Sequence, residues 1–283
     1  MSRIRQRSSR RPCACRLAIV FLASCVTSAV ASGEQQPADQ RPALKVLCYN
    51  VLQGFRQGES YKPAIEWVTT LEPDIVGWQE LFGWNEARLQ GAAQDWNHPH
   101  AVALKDGGYN LGLTSRRPIE VIERRTERFH HGYLHCRTSG VDVIVVHLWP
   151  GTRSQQIGEA IAVRDKVVGL AAEGREVILM GDFNAHSAAD QTMLVRQQPL
   201  LDRRWTADAP KIPTERFIVE GKFTFHVMNT VFEAPLVDVV RSAFDRANAN
   251  PDYEEQLVLG SFRTRVLQHA ATVETQQGFL DRM

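Results

Sequence analysis

Nearly unbroken apolar runs alternate along the chain with segments whose apolar residues recur at helical spacing. Runs over Leu44–Asn50, Asp74–Glu80, Val141–His147 and Val177–Met180 predict strands, and the last run predicts a strand that is buried on both faces. Helical spacing and turn residues predict the remaining elements. The predicted helices cover Pro63–Leu71, Asn85–Trp96, Ser154–Glu173, Ser187–Gln197 and Leu236–Ala247, and further strands cover Tyr109–Thr114, Ile119–Glu123, Gly132–Arg137, Gln256–Gly260 and Thr264–Val273. This mixture predicts an α/β fold in one domain, with two sheets packed face to face and helices outside.

The four main apolar runs share a second property, because a polar side chain stands at the end of each. Asn50, Glu80 and His147 close three of the runs, and Asp182 and Asn184 follow the fourth. Proteins of the α/β class present polar groups to ligands at such strand ends. Each residue alone also suits an ordinary structural role, as a turn residue, a solvated strand end or a buried histidine. Together they offer two carboxylates, two carboxamides and an imidazole, which suits Mg²⁺ with a phosphate and does not suit zinc.

Four short motifs surround these strand ends. They read LCYN at 47–50, DIVGWQE at 74–80, VVHL at 145–148 and GDFN at 181–184. In this order and spacing the chain resembles the endonuclease/exonuclease/phosphatase superfamily, which includes DNase I-like nucleases, sphingomyelinases and inositol phosphatases. The resemblance spans residues 44–185, and the segment 236–241 extends it less specifically. It implies a DNase I-like four-layer α/β sandwich with one active site at the strand ends.

The resemblance also implies a role for each strand-end residue. Glu80 corresponds to the Mg²⁺-binding glutamate of the family, and Asn50 to the asparagine beside the metal and the phosphate. His147 corresponds to the histidine that contacts the scissile phosphate. Asp182 corresponds to the aspartate that orients or deprotonates the attacking water, and Asn184 to the asparagine that holds the phosphate. We therefore expect one-step, in-line hydrolysis of a phosphate ester with Mg²⁺, for which Mn²⁺ substitutes.

Two family features are missing towards the printed C-terminus. Family members usually carry a terminal Ser-Asp-His segment, preceded by a strand whose aspartate orients that histidine. No Ser-Asp-His occurs here, and either Asp252 or Gln256 stands at the position of the earlier aspartate. We therefore expect the domain over 44–283 to be C-terminally incomplete. We also expect the 283-residue chain to be poorly soluble, and its activity to be about 10²-fold or more below that of a form extended by such a segment.

Three functions fit these observations. The first is metal-dependent phosphodiester hydrolysis, by a nuclease or another phosphodiesterase. The alternatives are a phosphomonoesterase acting on sugar or inositol phosphates, and a catalytically impaired protein that binds a phosphorylated ligand. A retained Asp182 favours an enzyme, because a binding protein has little need of a water-activating carboxylate. The net charge of +1 gives no strongly basic surface that would by itself indicate nucleic-acid binding, so nucleic acid stays a candidate partner. We expect the protein to be a monomer.

The N-terminal residues differ from the rest of the chain. A basic start is followed by a mainly apolar stretch over 17–30 that is too short to span a bilayer as a mature helix. With a small-x-small site at 29–31, this pattern predicts a signal peptide over 1–31, followed by a linker over 32–43. We expect a secreted or periplasmic protein with no transmembrane segment in the mature chain. A lipid anchor at Cys25 is the alternative.

Other reactive side chains are interpreted as structural or peripheral. Beyond the leader only Cys48 and Cys136 remain, and both lie in apolar strand patterns that predict a packing role. His130, His131 and His135 stand close enough to suggest a metal, but we interpret them as surface or substrate-side residues.

Overall fold

A computed structural model describes residues 43–191, 218–219, 222–239 and 242. In chain order these residues form β1 (Val46–Asn50), α1 (Leu52–Gln57), α2 (Tyr61–Leu71), β2 (Ile75–Gln79), α3 (Glu86–Ala93), β3 (His100–Ala103), β4 (Gly112–Ser115), β5 (Glu120–Arg125), β6 (Gly132–Thr138), β7 (Val141–His147), α4 (Arg153–Ala172), β8 (Val177–Asp182), β9 (Ile218–Val219), β10 (Lys222–Phe223) and α5 (His226–Val231). Short 3₁₀ turns follow α3 and β8.

The larger strands form two mixed sheets of four strands each. The first sheet has the order β1-β2-β4-β3, and the second has the order β5-β6-β7-β8. Within each sheet one pair is parallel, β1 with β2 and β7 with β8, while the other neighbours are antiparallel. Within the part of the chain that the structure describes, strands β9 and β10 pair with each other and with no other strand.

Three apolar cores separate four layers. The middle core lies between the sheets and includes Leu113, Leu134, Val145 and Met180. A second core joins the outer face of the first sheet to α2 and α3, and a third joins the second sheet to α4 and α5. The order helix, sheet, sheet, helix confirms the predicted four-layer α/β sandwich. All seven residues of β7 are buried because it has strands on both sides and a layer on both faces.

The two parallel pairs place the polar strand ends at one edge of the sandwich. In the first sheet Asn50 is the register partner of Gln79, directly before Glu80. In the second sheet His147 is the register partner of Asp182. Parallel neighbours end at the same edge of a sheet, and the two sheets are stacked on each other. The residues that close these strands therefore lie together.

Several predictions differ from the structure or lie outside the part it describes. Strand β3 and helix α5 were not predicted, and the segment predicted as a helix from Ser187 begins with a 3₁₀ turn over Ala188–Asp190. Both cysteines are free and contribute to the core between the sheets, which confirms their packing role. The leader, the late strands and the positions Asp252 and Gln256 lie outside the described residues. Among the residues described, no helix is long and apolar enough to cross a membrane.

Gly181 is the position in β8 where a side chain cannot be placed. Its φ of 148° is rarely adopted by other residues, and a methyl group there would run into the carbonyl of Val146 in β7. We expect Gly181→Ala to lower the free energy of unfolding by about 1–3 kcal/mol or more. Gly169→Ala is the matched control, because Gly169 lies in α4 with open space around it, and should raise stability by about 0.5–1 kcal/mol. Chemical denaturation measures both, and equal effects would contradict this reading of Gly181.

Candidate active site

Asn50 lies between two carboxylates that belong to different sheets. Its amide nitrogen Nδ2 donates to Glu80 Oε1 at 3.0 Å and to Asp182 Oδ2 at 2.8 Å. Its Oδ1 accepts the backbone N–H of Leu52 at 2.9 Å. The bond to Asp182 crosses from the first sheet to the second. Asn50 thus ties the two strand edges together, and its carboxamide is occupied by this bridge. The metal contact inferred for Asn50 stays a prediction.

The carboxylate of Asp182 is held from two further directions. Its Oδ1 accepts the backbone N–H of Asn184 at 2.8 Å, and its Oδ2 lies 3.7 Å from Nε2 of His147. The side-chain amide of Asn184 donates to the carbonyl of Leu148 at 2.9 Å. The structure therefore brings all five strand-end residues together. It shows Asn184 fixing the loop after β7, and its phosphate contact stays a prediction.

Gln156 of α4 supports the turn that carries these residues. Fully buried, it donates through Nε2 to the carbonyls of Phe183 at 3.1 Å and Asn184 at 2.6 Å. Asn184 has a φ of 48°, a left-handed conformation that asparagine tolerates better than most residues. The helix thus holds the turn in the conformation that aims the backbone N–H of Asn184 at Asp182.

The segment after β1 forms a left-handed helical turn that cradles Glu80. Residues 52–57 have φ values between 45° and 68°, a conformation that costs about 1–2 kcal/mol for each residue other than glycine. The backbone N–H of Gln53 donates to Glu80 Oε2 at 2.9 Å, and that of Gly54 to the Glu80 carbonyl at 2.7 Å. The backbone of Glu80 also adopts a left-handed conformation, with a φ of 58°. Strain of this kind is typical of functional sites.

The charges around Glu80 favour a cation. Burial raises the pKa of the Glu80 carboxyl and nearby Asp182 raises it further, while hydrogen bonds from Gln53 and Asn50 lower it. Glu80, His147 and Asp182 each offer one atom that could bind a metal ion, and these three ligand atoms lie within 4.8 Å of one another. No other such group occurs in the part of the chain that the structure describes. Two carboxylates suit Mg²⁺ or Mn²⁺, so the residues fit the inferred metal.

The three histidines that the sequence analysis grouped together divide into an adjacent pair, His130 and His131, whose ring centroids lie 4.4 Å apart, and His135, which lies elsewhere on β6. His131 is 6% exposed, and its ring stacks on that of His147 with centroids 4.0 Å apart. Burial, with His147, His130 and Lys105 nearby, lowers the pKa of His131 to about 2, so its imidazole is neutral. His135 is buried farther along β6, where it bonds to Asp142. The interpretation as a surface or substrate-side residue is therefore wrong for His135, whereas His131, although buried, adjoins the site, and its substrate-side role stays a prediction.

Lys105 is a cation that sequence reasoning missed. It lies in the segment between β3 and β4, and its Nζ donates to the carbonyl of His131 at 3.2 Å. The side chain is half-buried, and burial lowers the pKa of its amine. No local pattern marks this lysine, because the fold alone brings it to the stacked histidines.

Glu159 of α4 joins two loops that border the site. Its side chain is 1% exposed. Oε1 accepts the backbone N–H of His130, and Oε2 accepts that of Trp149, both at 2.7 Å. One loop leads into His131 and the other follows His147. The carboxylate thus fixes the spacing of the loops that carry the stacked imidazoles. Sequence reasoning interpreted this helix only by its apolar face.

We expect Glu159→Gln to remove a pH dependence of stability. Burial raises the pKa of Glu159 to about 7 from an ordinary value of 4.5, although the two N–H bonds lower it. Between pH 4.5 and about 7 the folded state therefore binds more protons at Glu159 than the unfolded state does. The contribution of protonated Glu159 to the free energy of unfolding is complete below pH 4.5 and is lost as the pH rises through about 7. The free energy of unfolding of wild type minus that of Glu159→Gln should fall by about 1–3 kcal/mol across this range.

Urea denaturation at several pH values measures this difference. Glu173→Gln at the exposed end of α4 is the control and should leave the pH dependence of wild type unchanged. Parallel pH profiles for wild type and Glu159→Gln would show that Glu159 does not titrate as its burial implies.

Three solved structures resemble parts of the chain at low sequence identity. A humanized D. rerio TDP2 with 14 mutations is 22% identical, with a TM-score of 0.39, over 52% of this chain and 65% of its own. An AP endonuclease from Archaeoglobus fulgidus is 16% identical, with a TM-score of 0.48, over 70% of this chain and 74% of its own. A 3′-5′ exonuclease from Neisseria meningitidis is 20% identical, with a TM-score of 0.41, over 52% of this chain and 60% of its own. The chain spans less than two thirds of the first and third structures. No curated protein sequence matches it.

A family model matches most of the chain. The Endonuclease/Exonuclease/phosphatase family model aligns with residues 47–251 of 283. The matched range contains both four-stranded sheets except Val46, the first residue of β1, and it contains every one of the strand-end residues. Fold, motif order and family match therefore agree. The chain belongs to the endonuclease/exonuclease/phosphatase family, with its DNase I-like fold.

Proposed function

We propose that this protein hydrolyses phosphodiesters with the help of Mg²⁺, or of Mn²⁺ in its place. Enzymes of its family hydrolyse phosphate esters, and we infer that the ester hydrolysed by this protein is a diester. The carrying observation is the bridge from Asn50 to both Glu80 and Asp182, with His147 beside Asp182. Two carboxylates and an imidazole from two sheets thus converge on one point, where a cation and a phosphate complement them.

In this proposal each residue has one task. Glu80 would hold the metal ion, with Asp182 and His147 beside it, and the bound ion would neutralise charge on the phosphate oxygens. Asp182, oriented by the N–H groups of Asn50 and Asn184, accepts the proton of the attacking water. His147 donates through Nε2 to a phosphate oxygen. Lys105 contributes positive charge beside the stacked histidines.

Turnover of two chromogenic substrates tests the proposal. With Mg²⁺ we expect the purified chain to hydrolyse bis-p-nitrophenyl phosphate, with kcat/KM about 10-fold or more above that for p-nitrophenyl phosphate, and EDTA to abolish this activity. A preference for the monoester would instead support a phosphomonoesterase. Binding of phosphate esters without any turnover would support the impaired binding protein.

The location and domain limits belong to the same proposal. Residues 1–31 are a signal peptide, 32–43 a linker and 44–283 the catalytic domain of a secreted or periplasmic monomer. The leader, and the linker up to residue 42, lie outside the described residues. N-terminal sequencing of exported protein should begin at Ser32. A lipid-modified Cys25 would show the anchored alternative, and an intact Met1 on exported protein would contradict both.

A further inference from the structure

A row of aromatic rings leads outward from the candidate site. The ring of His131 stacks on His147 at 4.0 Å, Tyr109 meets His131 edge-on at 5.6 Å, and Phe82 lies 4.9 Å from Tyr109. We call these four side chains the aromatic row. Burial decreases along it, from the nearly buried histidines through the half-buried Tyr109 to Phe82, which is 46% exposed. The outer rings thus present open surface next to the catalytic groups.

The loops that carry the two outer rings are fixed to each other. The N–H of Leu81 donates to the carbonyl of Asn110 at 3.1 Å, and the N–H of Gly83 to that of Gly108 at 3.0 Å. The fully buried Asn110 side chain donates to the carbonyl of Trp84 at 2.9 Å. A ligand that stacks on these rings would therefore lose little affinity to ordering of the loops.

The inner and outer ends of the aromatic row differ in chemistry. At the inner end Lys105 contacts the carbonyl of His131, and His147 belongs to the group with Glu80 and Asp182 that could hold a metal ion. This end suits a phosphate. At the outer end Tyr109 and Phe82 offer ring surface, which suits a planar group. A ligand that complements both ends carries a phosphate ester and a flat aromatic group on one small molecule or unit.

We propose that the aromatic row is a subsite for a nucleobase, so that the substrate is a nucleotide ester and not an inositol or sugar phosphate. This inference rests on the proposed function of the adjoining site. Stacking of one base on an aromatic side chain typically strengthens binding by about 10-fold. The four rings do not read base identity, because every base offers a π-face.

Binding of AMP and ribose 5-phosphate tests the inference, because the two ligands differ by the base alone. With Mg²⁺ and wild-type protein, calorimetry should show AMP binding about 10-fold tighter. Replacing both outer rings, in Phe82→Leu with Tyr109→Leu, should bring this ratio close to one and leave ribose 5-phosphate unaffected. Tyr109→Phe keeps the ring and should keep the preference. Val168→Ala, at an exposed site on α4, is the control for unrelated surface change.

Three outcomes decide the matter. Equal affinities in wild type, or a preference that survives loss of both rings, overturns the subsite. If that happens while bis-p-nitrophenyl phosphate is still hydrolysed, the proposed function stands and the subsite alone fails. Absence of both turnover and phosphate binding overturns both. Where AMP is preferred, tighter binding of tetrathymidylate than of thymidine monophosphate assigns the row to a nucleic-acid chain, and equal binding assigns it to free nucleotides.

Discussion

Asp182→Asn is expected to lower kcat for bis-p-nitrophenyl phosphate by about 10²–10⁴-fold, the range typical for loss of a general base. The amide has nearly the shape of the carboxylate, and its oxygen can still accept the N–H of Asn184, which donates to Oδ1 at 2.8 Å in the wild type. It cannot take a proton from water at neutral pH. The amide nitrogen would take the place of Oδ2, which accepts Nδ2 of Asn50 at 2.8 Å, so the hydrogen bond from Asn50 is lost together with the base.

Initial rates at saturating substrate and Mg²⁺ measure the effect of Asp182→Asn. Asp165→Asn on α4 is the matched control, because Asp165 is exposed and lies on the helix surface beside Arg164. It should retain kcat within about twofold, since surface substitutions seldom reach the site. Thermal unfolding of both variants separates lost chemistry from lost folding. Wild-type kcat in a folded Asp182→Asn protein would remove Asp182 from the mechanism.

Glu80→Gln is expected to raise the Mg²⁺ concentration for half-maximal activity by about 10–100-fold or more. Removing only a residue that hydrogen-bonds to a metal ligand already lowers metal affinity by about 10–100-fold. A neutral amide is a poor ligand for a hard cation. Its oxygen can still accept the N–H of Gln53, which reaches Oε2 at 2.9 Å, so the left-handed turn keeps an anchor.

Titration of activity with Mg²⁺ and calorimetric titration with Mn²⁺ measure this loss independently of each other. Glu72→Gln is the control, because Glu72 is an exposed glutamate at the end of α2 that contacts Lys45. An unchanged metal requirement in Glu80→Gln, or hydrolysis by wild type that withstands EDTA, would place the metal elsewhere or exclude it.

The main strands and their polar ends are predictable from the sequence because burial on both faces leaves a strong local pattern. Val141–His147 is apolar except at one interior position and at its final histidine, and Ser139 and Gly140 precede it. Both its limits were predicted correctly. Once such runs are strands of a layered α/β fold, their ends are expected to meet. The structure agrees, with Asn50 of the first sheet bonded to Asp182 of the second.

Short or strained elements leave no comparable pattern. Helix α5 reads HVMNTV, in which β-branched residues are weak helix formers, and it is stabilised by packing against α4. The left-handed turn over residues 52–57 contradicts the backbone preference of L-residues, and only Gly54 hints at it. Local propensity cannot predict a conformation that tertiary contacts impose.

The neighbours of the strand-end residues are equally hidden from the sequence. Glu159 lies on the buried side of a helix whose apolar face was predicted, and its partners are backbone N–H groups of distant loops. Lys105 and His131 meet through the fold and not through spacing. Contacts of this kind depend on loop conformation, which the pattern of apolar and polar residues does not encode.

One measurement addresses the central claim, that Glu80 and Asp182 of two separate sheets serve a single hydrolytic site. kcat/KM for bis-p-nitrophenyl phosphate is measured for Glu80→Gln, Asp182→Asn and the double variant, each checked for folding. Residues that act as one unit give losses that do not add in free energy. The double variant should therefore be little worse than the less active of the two single variants. Losses that multiply in full would contradict a single site.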